Sequence, residues 1–544
     1  MHELTKLIQI TVQNLFNETA EVELTRTDEQ FGDYATNVAL RLSKKLEQNP
    51  REIATQITEA LESDHIAKAE VAGPGFINIT LTENALVALA ESPHSTTIQP
   101  QSVVIETNNP NPFKAMHIGH AFNAIIADTV ANILEASGDA IYRVSYHGDV
   151  GLHVGKSMYS LLKFVDGSPQ KLQEVTPELR NNFMSKMYAE GAKAYKEDES
   201  AKAEIDELTK QSFTREDPVY AAVYDTCKDW SFELIDQTVA RLGNKPVERR
   251  FLESDADVRG VKIVKDNVPK VFQESDGALV FAGSKYGSFD NAFVTSRGLG
   301  LYGARDLGLM QLKNEYYHPK KSYIVTAEEQ KDYFKGVIAA AELCLPDLKN
   351  VTVNISTGTV KLSTGKMSSR DGDVLEISWL FDQIAAAIKE RGNEPTDESI
   401  AGSLRYQFLK VRIGSDVVFD VNEAVSLQGN SGPYLQYAHA RACSILQKSS
   451  QEPADLQQLD TAERSLLRKI SEYNEVVNRA QVELMPHHVC TYLYELAQTF
   501  NRFYEQSRVI DDPREAIRIN LVSKYAQTLK NGLDLLGIHA PEKM

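Results

Sequence analysis

The sequence predicts an α/β protein: a doubly wound parallel sheet, preceded by a small α/β domain and followed by an all-helical one. Three observations carry this. A strand–helix–strand unit stands just after residue 100, and such a crossover joins parallel strands. From about residue 400 onward, apolar residues recur at helical spacing almost to the end. Breaker-rich stretches near residues 95 and 395 separate the three parts. A chain of 544 residues has room for them, since it is enough for about three or four domains.

The first part spans 1–95 and ends in the polar stretch Glu91-Ser92-Pro93-His94-Ser95. Leu4, Leu7, Ile8 and Leu15 predict an amphipathic helix. Gly73-Pro74-Gly75 is a turn before the alternating strand Phe76-Ile77-Asn78-Ile79-Thr80-Leu81. The second part, 100–390, opens on the strand Ser102-Val103-Val104-Ile105-Glu106. After a Pro/Asn loop, a helix starts at about His117, with Ile118, Phe122, Ile125, Ile126, Val130, Ile133 and Leu134 on a 3.6-residue period. Gly138 stops it, and a strand follows at Ile141-Tyr142-Arg143-Val144-Ser145. This is the βαβ unit of a Rossmann-like sheet. The charged, helical stretch at about 155–250 reads as an insertion. After the linker Arg391-Gly392-Asn393-Glu394-Pro395-Thr396, the third part, 400–544, is helical, and Val522, Tyr525, Ala526, Leu529, Leu533 and Leu536 form one apolar stripe.

Composition excludes several classes. No apolar run is long enough to span a bilayer, and residues 1–17 lack a signal-peptide core. Cys227, Cys344, Cys443 and Cys490 lie far apart with no Cys-x-x-Cys pair, which argues against zinc and against a disulfide framework. A reducing, cytoplasmic setting is expected. The net charge of −18 counts against a protein coated in nucleic acid. Residues 403–544, with 16 basic and 17 acidic side chains, are nearly neutral, so that part is the one best suited to a phosphate backbone.

Two motifs carry chemistry. Asn111-Pro112-Phe113-Lys114-Ala115-Met116-His117-Ile118-Gly119-His120 puts a cation and two imidazoles at a strand-to-helix junction. Helix N-termini bind phosphate through free N–H groups, and imidazole and ammonium donors can follow charge building on phosphorus. Gly119 removes a side chain where a base or ribose would come close. Downstream, Gly365-Lys366-Met367-Ser368-Ser369-Arg370-Asp371-Gly372 offers two cations and two hydroxyls between glycines, suited to closing over phosphates and holding pyrophosphate.

Together His117–His120 and Lys366–Arg370 resemble the two signatures of class I aminoacyl-tRNA synthetases, and the flanks resemble the arginyl-tRNA synthetase family. Phe31-Gly32-Asp33-Tyr34-Ala35-Thr36-Asn37 resembles its N-terminal domain, and Gly432-Pro433-Tyr434-Leu435-Gln436-Tyr437-Ala438-His439-Ala440-Arg441 the start of its helical anticodon-binding domain. The likeness covers nearly the whole chain. Two departures stand out. Ser369 occupies the place of the loop's second lysine, and Lys114 sits where many relatives carry a compensating one. Ala121-Phe122-Asn123 replaces a Leu-Arg-Ser that could bring an arginine to the tRNA acceptor end.

The resemblance implies an arginine–tRNA ligase that uses ATP with Mg²⁺, L-arginine and tRNA(Arg), acts as a monomer and needs no zinc or membrane. It implies catalytic roles for Lys114, His117, His120 and Lys366. ATP would meet His117, Gly119, His120, Lys366, Met367, Ser368, Ser369 and Arg370. Arginine would meet Glu106, Asn111, His117, Tyr302, Asp306 and Gln330; a guanidinium wants paired carboxylates and an aromatic ring. Tyr434, Tyr437 and Arg441 would contact tRNA, since rings stack unpaired bases. Two rivals stand beside this. A nucleotidyltransferase can share the first motif and the βαβ unit, but not the flanking domains. A non-catalytic tRNA-binding relative would not need His117, His120 and Lys366.

Overall fold

The computed structural model describes residues 2–92, 99–363 and 375–544. Val103, Val104 and Ile105 are β-branched and fully buried, so their strand, Ser102–Asn108, takes the middle of a parallel sheet. Among the described residues this sheet has five strands, in the order Thr352–Thr357, Lys321–Ala327, Ser102–Asn108, Ala140–His147, Arg249–Leu252. Every neighbouring pair is parallel. The chain leaves the first strand toward one edge and later returns on its other side. That makes a switch point between Ser102–Asn108 and Lys321–Ala327, and ligands bind such sheets there, beyond the carboxyl ends.

The first crossover helix is Ile118–Ala136, N-capped by His117. All seven residues of the expected stripe, from Ile118 to Leu134, are buried. Ser137 caps the end and Gly138 follows at φ +95°.

The insertion folds as helices Leu152–Val165, Arg180–Glu197, Glu199–Thr214 and Pro218–Arg241, between the strands Ala140–His147 and Arg249–Leu252. They close on their own apolar core, with Met158, Ile205, Tyr224 and Trp230 inside it. One outside residue joins that core. Phe113, from the loop before His117, is fully buried there at φ +62°. Its N–H donates to Ser231 Oγ (3.0 Å) and its carbonyl accepts from Ser157 Oγ (2.8 Å). The His117 loop is thereby pegged to the insertion.

Residues 2–92 hold a four-stranded antiparallel sheet that includes the expected strand Phe76–Leu81. In the helix His2–Phe16, Ile8 and Val12 are buried, whereas Leu15 is 42% exposed. This unit docks on the helical domain through charge. Asp33, fully buried, accepts the Leu81 N–H at 2.7 Å and pairs with Arg464 (2.8 Å) and Arg468 (3.1 Å) of the helix Thr461–Ile470.

The C-terminal stripe is buried along the helix Glu515–Leu535 and just beyond it. The helical pattern expected after residue 400 holds except for one short element. Val417–Phe419 is a short strand, parallel to Val360–Leu362. Val417 and Phe419 are buried while Val418 is exposed, a two-residue period too short to stand out in a helical window. Before it, the helix Asp397–Leu409 carries Arg405, which is fully buried. Its Nη2 reaches Asp128 Oδ2 (2.9 Å) and Thr129 Oγ1 (3.0 Å) on the first crossover helix. Its Nη1 reaches the Leu242 carbonyl (3.0 Å) and Asn244 Oδ1 (2.6 Å) after the insertion, and its Nε the Leu536 carbonyl (2.6 Å) near the C-terminus. No helix among the described residues is long and apolar enough to cross a membrane.

Candidate active site

The first crossover helix begins with a reciprocal cap. The His120 N–H donates to His117 Nδ1 at 3.3 Å, and the His117 N–H to His120 Nδ1 at 3.5 Å. The rings stack with centroids 3.6 Å apart. With each Nδ1 accepting, the ring proton belongs on Nε2. Burial, then the Lys114 charge, pushes His117 down to about 4; burial, then the charges of His117, Lys114 and His147, pushes His120 down to about 3. Both rings are therefore neutral N–H donors at neutral pH. A Cβ on Gly119 would lie 3.1 Å from His117 Cε1, so the glycine lets the His117 ring fold back over its own helix turn. The Ile118 N–H donates to the Leu375 carbonyl and the Ile377 N–H to the Met116 carbonyl, both at 3.0 Å.

These groups open on a cleft of about 710 Å³ at the switch point. The carboxyl ends of the strands supply Glu106, Asn109, Tyr146, Thr326 and Thr357; the helices supply Tyr302, Asp306 and Tyr333. The structure thus brings Glu106, His117, Gly119, His120, Tyr302, Asp306 and Gln330 to one wall. Tyr302 and Asp306 are one turn apart on the helix Tyr302–Tyr317, as their spacing predicts, with Tyr302 exposed at the mouth. Lys366, Met367, Ser368, Ser369 and Arg370 lie outside the described residues. On either side of that segment, Leu362 and Leu375 line the cleft.

Two expected residues stand apart from this wall. Asn111 Oδ1 accepts the Gly148 N–H at 2.9 Å, so it braces the loop after the strand Ala140–His147. Lys114 is exposed and borders a smaller cleft formed with Asn181, Met184 and Thr238 of the insertion; its Nζ lies 5.7 Å from the Tyr188 ring centre. It is still close enough to depress both motif histidines. His147 and Asp149 are buried supports. His147 bonds the Pro110 carbonyl (2.6 Å), and Asp149 accepts from the Ser254 hydroxyl (2.8 Å). Phe122, in place of an arginine, packs edge-on against Phe408 at 5.1 Å. Asn123 stays in the cleft wall and accepts from Thr357 Oγ1 at 2.7 Å.

The acid pocket holds a residue that sequence reasoning missed. Lys313, buried, bonds Glu106 Oε1 at 2.6 Å, and Asn109 Nδ2 donates to Oε2 at 2.6 Å. The signal was a lysine seven residues after Asp306, hence two turns along the same face. Asp306 accepts from the Tyr333 hydroxyl at 2.5 Å. Burial, with Glu106 and Glu253 nearby, pushes its carboxyl up to about 7. Arg305 keeps the neighbouring acids occupied, pairing with Glu253 and Asp257 at 3.0 Å each.

The charge state of Asp306 gives a first prediction. A bound cation favours the ionised carboxylate, so a cationic substrate must release a proton when it binds below the pKa. Its KM is expected to rise roughly tenfold from pH 8 to pH 6, while the KM for the nucleotide stays flat. A flat profile for both substrates would remove Asp306 from the pocket chemistry.

In the helical domain, Tyr434 accepts from Asn501 Nδ2 at 2.8 Å and is half-buried. Tyr437 is 45% exposed, and the Arg441 guanidinium lies 4.3 Å above the Tyr504 ring. Of the two tyrosines, Tyr437 is the more exposed.

A parallel sheet with a switch-point cleft and paired imidazoles starting its first crossover helix fit the expectation of a class I aminoacyl-tRNA synthetase. Comparison with known proteins agrees part by part. Residues 2–81 match the arginyl tRNA synthetase N terminal domain, 82–403 the class I (R) tRNA synthetase catalytic domain, and 435–544 the DALR anticodon binding domain. The chain belongs to the arginyl-tRNA synthetase family. Arginine–tRNA ligase of Thermobifida fusca is 30% identical over 95% of this chain and 94% of its own. That of Mannheimia succiniciproducens is 29% identical over the same shares. The arginyl-tRNA synthetase structure from Thermus thermophilus shares the fold at a TM-score of 0.80, with 23% identity and full coverage of both chains.

Proposed function

We propose that the chain joins L-arginine to tRNA(Arg) through an arginyl-adenylate, with the carboxylates Glu106 and Asp306 taking the guanidinium. The observation that carries this is the continuity of one cleft, from that acid pair to the His117–His120 cap. In the first step the arginine carboxylate attacks the α-phosphorus of ATP in line and pyrophosphate leaves. The Nε2–H groups of His117 and His120 meet charge growing on the phosphoryl oxygens, as neutral donors that cost no proton transfer. Gly119 borders the nucleotide. Lys366, Met367, Ser368, Ser369 and Arg370 are assigned to its phosphates by the family signature. ATP would carry Mg²⁺, whose charge would offset that of the phosphates. In the second step a terminal ribose hydroxyl of the tRNA attacks the adenylate carbonyl and AMP leaves. Positioning and electrostatics suffice for both steps.

Tyr302 at the mouth covers the arginine side chain, and Gln330 and Asn111 orient its α-amino and carboxylate end, Asn111 through the amide nitrogen left free by Gly148. Tyr437, Tyr434 and Arg441 meet the anticodon stem and loop, and the unit at 1–95 the outer corner of the tRNA. The working division is 1–95, 100–390 with the insertion at 155–250, and 400–544. The enzyme acts as a cytoplasmic monomer.

Lys114 supplies the cation that Ser369 does not. Lys114→Ala is expected to lower turnover about 10²-fold, the effect of losing one donor to a transition-state oxyanion, with the KM for ATP little changed. Turnover equal to wild type would return Lys114 to a surface role. The reaction itself is tested by charging unfractionated tRNA with labelled amino acids: arginine should become acid-precipitable, and charging with any other amino acid would overturn the assignment.

A further inference from the structure

We infer that Tyr146 is a specificity-determining residue of this pocket, its phenol oxygen accepting an N–H from the substrate guanidinium. The inference rests on the reading of the cleft as an arginine site. Tyr146 stands one residue before the end of the strand Ala140–His147, where its N–H donates to Asn109 Oδ1 at 2.9 Å and its side chain enters the cleft wall. Its hydroxyl is buried and bonds no group among the described residues. Such an atom is rare, because a hydroxyl removed from water without a partner destabilises the fold.

The surroundings say what the hydroxyl awaits. Tyr146 lines the same cleft as Glu106, Asp306 and Tyr333, and the charges of Asp306, Glu253, Arg305 and Glu106 act on it. Burial, then the carboxylates, hold Tyr146 protonated. The acceptors of the pocket are already in part used: Glu106 by Lys313 and Asn109, and Asp306 by Tyr333. A guanidinium brings five N–H donors in a fixed plane and an ammonium only three on a point charge. The planar group thus brings more N–H donors to the cleft than an ammonium does, and the Tyr146 oxygen is a buried acceptor in its lining with no partner among the described residues. A shorter ammonium side chain would leave it unbonded, as it is without substrate. A site that hydrogen-bonds its substrate in this way rejects analogues that leave its buried groups unpaired.

Tyr146→Phe deletes that oxygen and nothing else. In arginine-dependent ATP–pyrophosphate exchange with tRNA present, the KM for arginine should rise about 10- to 100-fold, the range for a hydrogen bond to a charged group. Turnover and the KM for ATP should stay near wild type, and the preference for arginine over lysine should fall by a similar factor. The melting temperature without substrate should be equal or higher, since an unbonded buried hydroxyl is gone. An unchanged KM overturns the proposal. So does a melting temperature lowered by several degrees, which would mean that the hydroxyl serves the fold. Absence of arginine-dependent exchange in the wild-type chain would instead sink the arginine reading on which this rests.

Discussion

Asp306→Asn is expected to lower kcat/KM for arginine about 10³-fold. Truncating one partner of a buried, hydrogen-bonded charge pair costs about 2–5 kcal/mol, which is roughly 30- to 4,000-fold at 1.4 kcal/mol per tenfold. The upper part of that range applies because the asparagine turns an NH₂ donor toward a ligand that carries only donors. The fold should tolerate the change, since the Tyr333 hydroxyl can donate to an amide oxygen as it does to the carboxylate. Two controls separate this from general damage. The KM for ATP should not move, and the rise of the arginine KM below pH 7 should vanish with the titrating group. A variant that loses arginine and ATP affinity together would point to a collapsed cleft instead.

Arg405→Met should produce a large loss of stability. Its guanidinium satisfies groups on the first crossover helix, the end of the insertion and the C-terminal turn. Removing it leaves Asp128, itself fully buried, with Arg143 Nε 3.7 Å away as the remaining ion-pair partner among the described residues. Breaking a buried pair from one side costs about 3–5 kcal/mol, because a charge is stranded in a low dielectric. In a chain of several domains this is best read as a lowered urea midpoint, with faster hydrogen exchange in residues 515–535 and 118–136. Replacing Asp128 as well, by Asn, should recover part of the loss. Equal midpoints for the single and double variants would mean that the pairing with Asp128 is not what Arg405 supplies.

The start of the first crossover helix was legible because a periodic pattern changes there, whereas the pocket residues were named by resemblance. The apolar stripe from Ile118 to Leu134 fixed the helix, and the break before it placed His117 and His120 at the N-terminus, where the cap is found. Tyr302 and Asp306 came from resemblance; their four-residue spacing added only that they share a face once the segment is helical, as it is. What stayed hidden depends on contacts between distant segments. Lys313 looks like an ordinary surface lysine until Glu106, 207 positions away, is brought against it. Phe113 looks like loop filler until the insertion core closes around it. Gly537 reads as a helix stop, but a Cβ there, at φ +66°, would also lie 2.3 Å from Arg405 Nη2, a reason no local pattern contains. The strand Val417–Phe419 has too few residues to declare a period of its own.

Selection of arginine and its activation with ATP are proposed for one cleft. The most direct measurement is ATP–pyrophosphate exchange by the whole chain, run with each standard amino acid in turn, with and without tRNA. Exchange is expected with arginine and no other amino acid, in the presence of tRNA. Exchange driven by any other amino acid, or none under either condition, would contradict it.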